Sequence, residues 1–185
     1  PLFPYMQAVK VRNAATLSTM AKSGANIKDV IFNELFDGSV NNLPFTITHI
    51  QFGRDFNHNV KKLPPNLTHL VFARHFSKPV NDLPHSLTHL TLGGGFDLSI
   101  DKLPPHLTHL TIGDSFDQPI DSLPQSLTHL IIGDSFDQSV ANLPQSLIHL
   151  TIGTSFDQRV DNLPQNLKHL IFSEESEFDQ PVENL

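Results

Sequence analysis

The chain has 185 residues with no cysteine, no tryptophan and 14 prolines, and its 12 Lys plus Arg against 19 Asp plus Glu give a formal net charge of −7. These counts exclude a disulfide framework and a cysteine-ligated zinc site, and they argue against nucleic acid as a partner, whose phosphates call for a basic surface. No apolar run reaches the roughly 18 residues of a membrane span and the first residues lack the basic-then-apolar order of a secretory signal, so no membrane partner is expected and a reducing cytoplasm is the expected compartment.

In chain order, residues 1–26 come first, opening on Pro1, so an initiator methionine has been removed or this is a piece of a longer protein. Residues 14–22 read as a short helix ended by Gly24, and the whole segment as an N-terminal cap or the remnant of a preceding domain. Residues 27–185 then read as one array of about eight units. Leu-Pro recurs at Leu43, Leu63, Leu83, Leu103, Leu123, Leu143 and Leu163, a period of 20 residues. Phenylalanine keeps the same beat at Phe36, Phe56, Phe76, Phe96, Phe116, Phe136 and Phe156, with Phe178 two residues late. Such a period implies a solenoid, in which each unit buries its apolar side against its neighbours.

Within one unit, Leu107, Leu110 and Ile112 form an L-x-x-L-x-L core, the pattern of a leucine-rich repeat. Alternation turns Leu110 and Ile112 inward and His109 and Thr111 outward. Short parallel strands are expected at about residues 48–52, 68–72, 88–92, 108–112, 128–132, 148–152 and 168–172, with a weaker first rung at Val30 to Phe32. Stacked, they span roughly 38 Å. Gly113, Gly133 and Gly153 are expected to permit the turn out of each strand. The prolines lack the N–H a central strand donates, so they belong to return segments of extended, polyproline or short 3₁₀ structure, with little α-helix.

Units such as LPQSLTHLIIGDSFDQSVAN and LPPHLTHLTIGDSFDQPIDS resemble FNIP repeats, the leucine-rich-repeat-like units of social amoebae and of giant viruses of amoebae. Phe116-Asp117-Gln118-Pro119-Ile120 and Phe178-Asp179-Gln180-Pro181-Val182 match the Phe-Asn-x-Pro-Ile signature with Asp for Asn. A looser similarity links the units to the 20-residue leucine-rich repeats of bacterial effectors. Where those repeats carry an asparagine ladder, this chain has Asp55, His75, Gly95, Ser115, Ser135 and Ser155; serine hydroxyls are expected to take over part of its work and the Asp or Asn after each Phe the rest. The resemblance implies an F-box upstream and, through it, a Skp-type adaptor. Residues 1–26 are too short to hold that module.

The outward histidines His49, His69, His89, His109, His129, His149 and His169 form a ladder headed by Asp29. Three readings apply: rings that stack and bond locally as part of the repeat, a pH-responsive row, or neighbouring imidazoles that share a metal ion. The next outward column holds Gln51, Val71, Thr91, Thr111, Ile131, Thr151 and Ile171; Thr48, Thr68, Thr88, Thr108 and Thr128 flank the other side. Together they suit a protein-binding face, with the histidines, Thr91, Thr111, Ile131 and Thr151 as its contacts. The phenylalanine column reads as core. Glu174-Glu175-Ser176-Glu177 interrupts the last unit as a solvated bulge or as a site for a basic partner.

The carboxylates recur in ranks rather than as a singular pair, and neither G-x-x-x-x-G-K nor H-E-x-x-H occurs, so no enzyme and no cofactor are expected. The function expected is a non-catalytic protein-interaction module, perched on an F-box ubiquitin ligase subunit or, alternatively, a self-assembling repeat protein such as one of a viral particle. In the viral case the compartment is the host cytoplasm.

Overall fold

The computed structural model describes residues 9–12, 15, 16, 19, 22 and 26–181. Nine strands follow in chain order: β1 (Val9–Val11), β2 (Asp29–Phe32), β3 (His49–Gln51), β4 (His69–Val71), β5 (His89–Leu92), β6 (His109–Ile112), β7 (His129–Ile132), β8 (His149–Ile152) and β9 (His169–Phe172). They build one sheet in which spatial order equals chain order and every pair is parallel. Each return is an extended path bent by single turns, such as Leu127 N–H to Pro124 O at 3.0 Å, rather than a 3₁₀ run. Of the expected helix at 14–22, Ala15, Thr16, Thr19 and Lys22 are helical; its other positions and Gly24 lie outside the described residues.

The sheet starts one strand earlier than the Val30–Phe32 rung, because β1 pairs with β2 in the register Val9 to Val30. Most strands begin at the histidine rather than at the residue before it. The N–H groups of Thr68 and His69 both bond to Thr48 O, at 2.8 and 3.1 Å, which joins the coils one residue ahead of the regular ladder.

Each coil turns six side chains inward. In one coil these are Leu127, Leu130, Ile132, Phe136, Val140 and Leu143, all buried. The phenylalanines stack along the array, Phe96 to Phe116 at 6.3 Å and Phe116 to Phe136 at 6.2 Å between ring centroids, nearly parallel. This offset stacking lets rings repeat at the coil spacing without a void. Where the second strand position is also Phe, the two rings of a coil pair at 3.8 Å (Phe52 and Phe56) and 3.7 Å (Phe72 and Phe76). The two-residue insertion before Phe178 lies in the path from Ser173 to Phe178, where Glu177 N–H bonds to Thr154 O at 3.0 Å, and Phe178 still stacks on Phe156 at 6.0 Å.

The glycines after the strands are required by close approach, not by turn conformation. A Cβ at Gly133 would lie 2.6 Å from Asp114 Cα, and one at Gly113 2.5 Å from Gly94 Cα, with neither residue in the left-handed region. Glycine thus lets successive coils touch backbone to backbone. From position 53 to 153 the column departs from Gly only at Ala73.

On the return side a carboxylate ladder replaces the asparagine ladder. Asp117 Oδ1 accepts the N–H of Asp137 at 3.0 Å and the amide of Gln138 at 2.9 Å. The same pair of bonds joins Asp97 to Asp117 and Gln118, Asp137 to Asp157 and Gln158, and Asp157 to Asp179 and Gln180. The Asp or Asn after a Phe therefore does this work, and the serines at 115, 135 and 155 join the coils through their backbone N–H. A shorter run links Asp37 to Asn57 and Asn57 to Ser77. Among the described residues, the Ser77 side chain does not carry it on to Asp97.

Candidate functional site

Parallel pairing in a 20-residue register places all seven histidines in one file on the outer face, opposite the buried leucines. Consecutive imidazoles stack with centroids 4.1–4.3 Å apart and planes within 20° of parallel. Each ring from His49 to His129 is steadied by the threonine before it. Thr88, Thr108 and Thr128 Oγ1 each lie 2.9 Å from the Nδ1 of the next residue. The same hydroxyls reach the preceding coil's carbonyls, Thr108 Oγ1 to Thr88 O at 3.1 Å. The flanking threonines are thus half-buried parts of the ladder's support rather than a free rank. Ile148 and Lys168 replace them beside His149 and His169.

Asp29 heads the file, buried, with Oδ1 2.9 Å from His49 Nδ1. That oxygen has no other hydrogen-bond partner among the described residues. Burial is the main cause that lowers the pKa of His49, and it outweighs the opposing attraction of Asp29. His69 is pushed down to about 4, first by burial and then by the repulsion of His89, His49 and His109. His89, His109, His129 and His149 are lowered by burial and then by neighbouring imidazoles, His149 also by Lys168. The rings from His49 to His149 are therefore neutral near pH 7.

The stacking bears directly on the shared-metal reading. Imidazole lone pairs lie in the ring plane, so parallel rings about 4.2 Å apart aim theirs side by side, and two neighbours do not converge on one ion at the roughly 2.0–2.1 Å that zinc requires. Among the described residues no group of three or more His, Asp or Glu is arranged to hold a metal.

In the adjacent column Thr91, Thr111 and Thr151 are half-buried, while Ile131 is 46% and Ile171 53% exposed. The face thus offers imidazole edges, threonine hydroxyls and isolated aliphatic side chains on a rigid backing. The aspartates of the opposite side serve as ladder acceptors, and Asp157 is held below the usual carboxylate range by the N–H of Asp179 and the Gln180 amide. A cleft of about 400 Å³ between coils on the return side is lined by Gln158, Arg159 and Asp161 among others; its Arg159–Asp161 pair, 2.7 Å apart, is a surface ion pair. The sequence shows the carboxylate ladder only as sharing its work with the serines, since the Phe-Asp-Gln repeat is visible but its bonding depends on coil spacing.

The profile of the FNIP repeat matches five overlapping stretches, residues 56–95, 79–115, 97–135, 116–155 and 136–175. The chain belongs to the FNIP repeat family. Among solved structures this FNIP array is similar to CroV588, a circular LRR protein, with 35% identity and a TM-score of 0.66 over 79% of the chain. The array spans 27% of the length of that protein. It also shares its fold with YopM from Yersinia enterocolitica WA-314, at 22% identity and a TM-score of 0.57, covering 86% of this chain and 36% of that one. No curated protein matches it. FNIP and leucine-rich-repeat solenoids are a class whose usual work is binding other proteins. No helix of the described residues is long and apolar enough to cross a membrane.

Proposed function

We propose that this FNIP array is a non-catalytic protein-binding scaffold whose contact surface is the histidine file from His49 to His169 with Thr91, Thr111, Ile131 and Thr151. The observation that carries this reading is the in-register stack of imidazoles with exposed Ile131 beside it, on nine strands in one sheet. A surface already ordered loses little entropy on binding, which favours recognition over chemistry. Residues 1–26, which contribute β1, fit the role of a cap on the first apolar face. In a polypeptide that also carries an F-box, a Skp-type adaptor would hold one end while this face selected substrates for ubiquitin ligation. The likeness to CroV588, from the giant virus CroV, supports a viral source and action in the host cytoplasm.

A self-assembling role is the second reading, favoured by the isolated exposed aliphatic side chains of the sheet face, Ile131 and Ile171. Size-exclusion chromatography with light scattering separates the two. A monomer across a hundredfold concentration range supports the scaffold, and concentration-dependent oligomers support assembly. Affinity capture from host lysate with the wild-type array and a His89→Ala/His109→Ala/His129→Ala variant tests the face; proteins retained equally by both would place the contact elsewhere.

A further inference from the structure

We infer that His89, His109 and His129 are held as Nδ1–H tautomers, so that the outer face presents a row of bare Nε2 acceptors suited to a partner segment bearing lysine or arginine. The argument starts from a single proton. A threonine hydroxyl carries one hydrogen, and each of Thr88, Thr108 and Thr128 has two polar neighbours. One is the preceding threonine's carbonyl, 3.1, 3.1 and 3.0 Å from Oγ1; the other is the imidazole Nδ1, 2.9 Å away in all three. A carbonyl oxygen only accepts. Two oxygens about 3 Å apart with no proton between them repel, so the hydroxyl donates to the carbonyl even though backbone N–H groups also reach it. The hydroxyl's lone pair then faces Nδ1, which must carry its own hydrogen to complete the bond. The neutral ring has one N–H, so Nε2 is left with a lone pair.

Nε2 is the ring atom far from Cβ, on the side away from the sheet. Among the described residues no polar group bonds to it in His89, His109 or His129. The register thus repeats one acceptor at the strand spacing of about 4.8 Å. Lysine, arginine and the tryptophan indole donate and never accept, and of these lysine and arginine offer several N–H groups and a positive charge to such a row. Charge agrees with this choice, since the chain carries −7 and the exposed residues beyond β6 and β7 are Asp114 and Asp134. The equivalent positions nearer the N-terminus hold Arg54 and Arg74, and Lys168 stands beside the His149 end, so a cationic segment is directed to the middle rungs.

The inference rests on the reading of this face as a binding surface, and two measurements on the full chain test its parts. Long-range ¹H–¹⁵N correlation of ¹⁵N-histidine-labelled protein at pH 7.5 reads the tautomers. Protonated Nδ1 and bare Nε2 at the three rings are expected, and Nε2–H signals there would overturn the assignment. Thr108 is a positioning residue, so Thr108→Val should shift His109 toward Nε2–H while Thr108→Ser leaves it unchanged; an unaltered His109 signal in the valine variant removes the hydroxyl from the account. A blocked tetralysine peptide, titrated at low salt, should bind the wild type at least fivefold more tightly than a His109→Phe/His129→Phe variant, in which stacking survives and the acceptors do not. Equal affinity would reject the cationic partner. Loss of captured lysate proteins in the histidine variants, without any preference for tetralysine, would sink this inference and leave the binding face standing.

Discussion

Acidifying the protein from pH 7.5 to pH 4 titrates the histidine ladder, and substitution of His69, its most perturbed member, isolates one ring. Its folded pKa of about 4 lies below the ordinary 6.5, so above pH 6.5 both folded and unfolded chains hold it neutral. As the pH falls below 6.5 the unfolded chain takes the proton first, and stability drains until the folded ring also titrates near pH 4. Each unit of that interval is worth about 1.4 kcal/mol at full strength. The ring is half-buried, and screening there leaves about 1–2 kcal/mol for His69. For a chain of this size that is a fall in Tm of about 2–8 °C. The loss comes from burial of charge and from repulsion between stacked rings. Thermal melts followed by circular dichroism should show wild-type Tm flat from pH 8 to 7 and falling from there to 4.5. A His69→Gln variant should fall less steeply, the difference between the two curves opening across that window. Parallel curves, or an NMR midpoint for the His69 ring near 6.5, would refute the reasoning.

Three further outcomes follow from the packing. Phe116→Ala empties a fully buried site between two stacked rings and should cost about 3–5 kcal/mol in urea unfolding, more than Phe178→Ala at the half-buried end; equal costs would contradict the burial gradient. Asp137→Ala removes the acceptor for the Asp157 N–H and the Gln158 amide and should cost about 1–3 kcal/mol, whereas Asp137→Asn keeps an oxygen there and should cost less; the two melting alike would discount the ladder. Gly133→Ala should cost about 1–3 kcal/mol by pushing Cβ against the Asp114 backbone. Gly94→Ala, whose added carbon meets nothing nearer than 3.7 Å, should stay within about 0.5 kcal/mol of wild type.

The parts of the fold legible in the sequence are those that a strict period encodes. Leu-Pro, the phenylalanines and the alternation around His109 determine the stack, its register and its core, because a side chain that recurs every 20 residues meets its own copy. β1 escaped because Val9 lies 21 residues before Val30 and no Leu-Pro precedes it. The place of Gly133 is visible in the repeat but its cause is not, since contact between coils is a property of two units and leaves no mark within one. The histidine file was visible from spacing, but the engagement of Thr108 with both a carbonyl and an imidazole depends on distances that only coordinates supply.

The interruption between Ser77 and Asp97 gives the array a seam. On either side, neighbouring coils are laced by side chains on the return edge, Asn57 to Ser77 before it and Asp97 to Asp117 after it. Across the seam, Gly95 still joins Arg74 through the backbone, and three consecutive glycines, Gly93 to Gly95, leave that stretch of chain with no side chains to grip. The lacing there shifts to the sheet side, where Ser86 Oγ reaches the carbonyl oxygens of Pro65 and Leu67 in the coil before it, both at 2.7 Å, so the two stacks can part along one edge while staying hinged along the other.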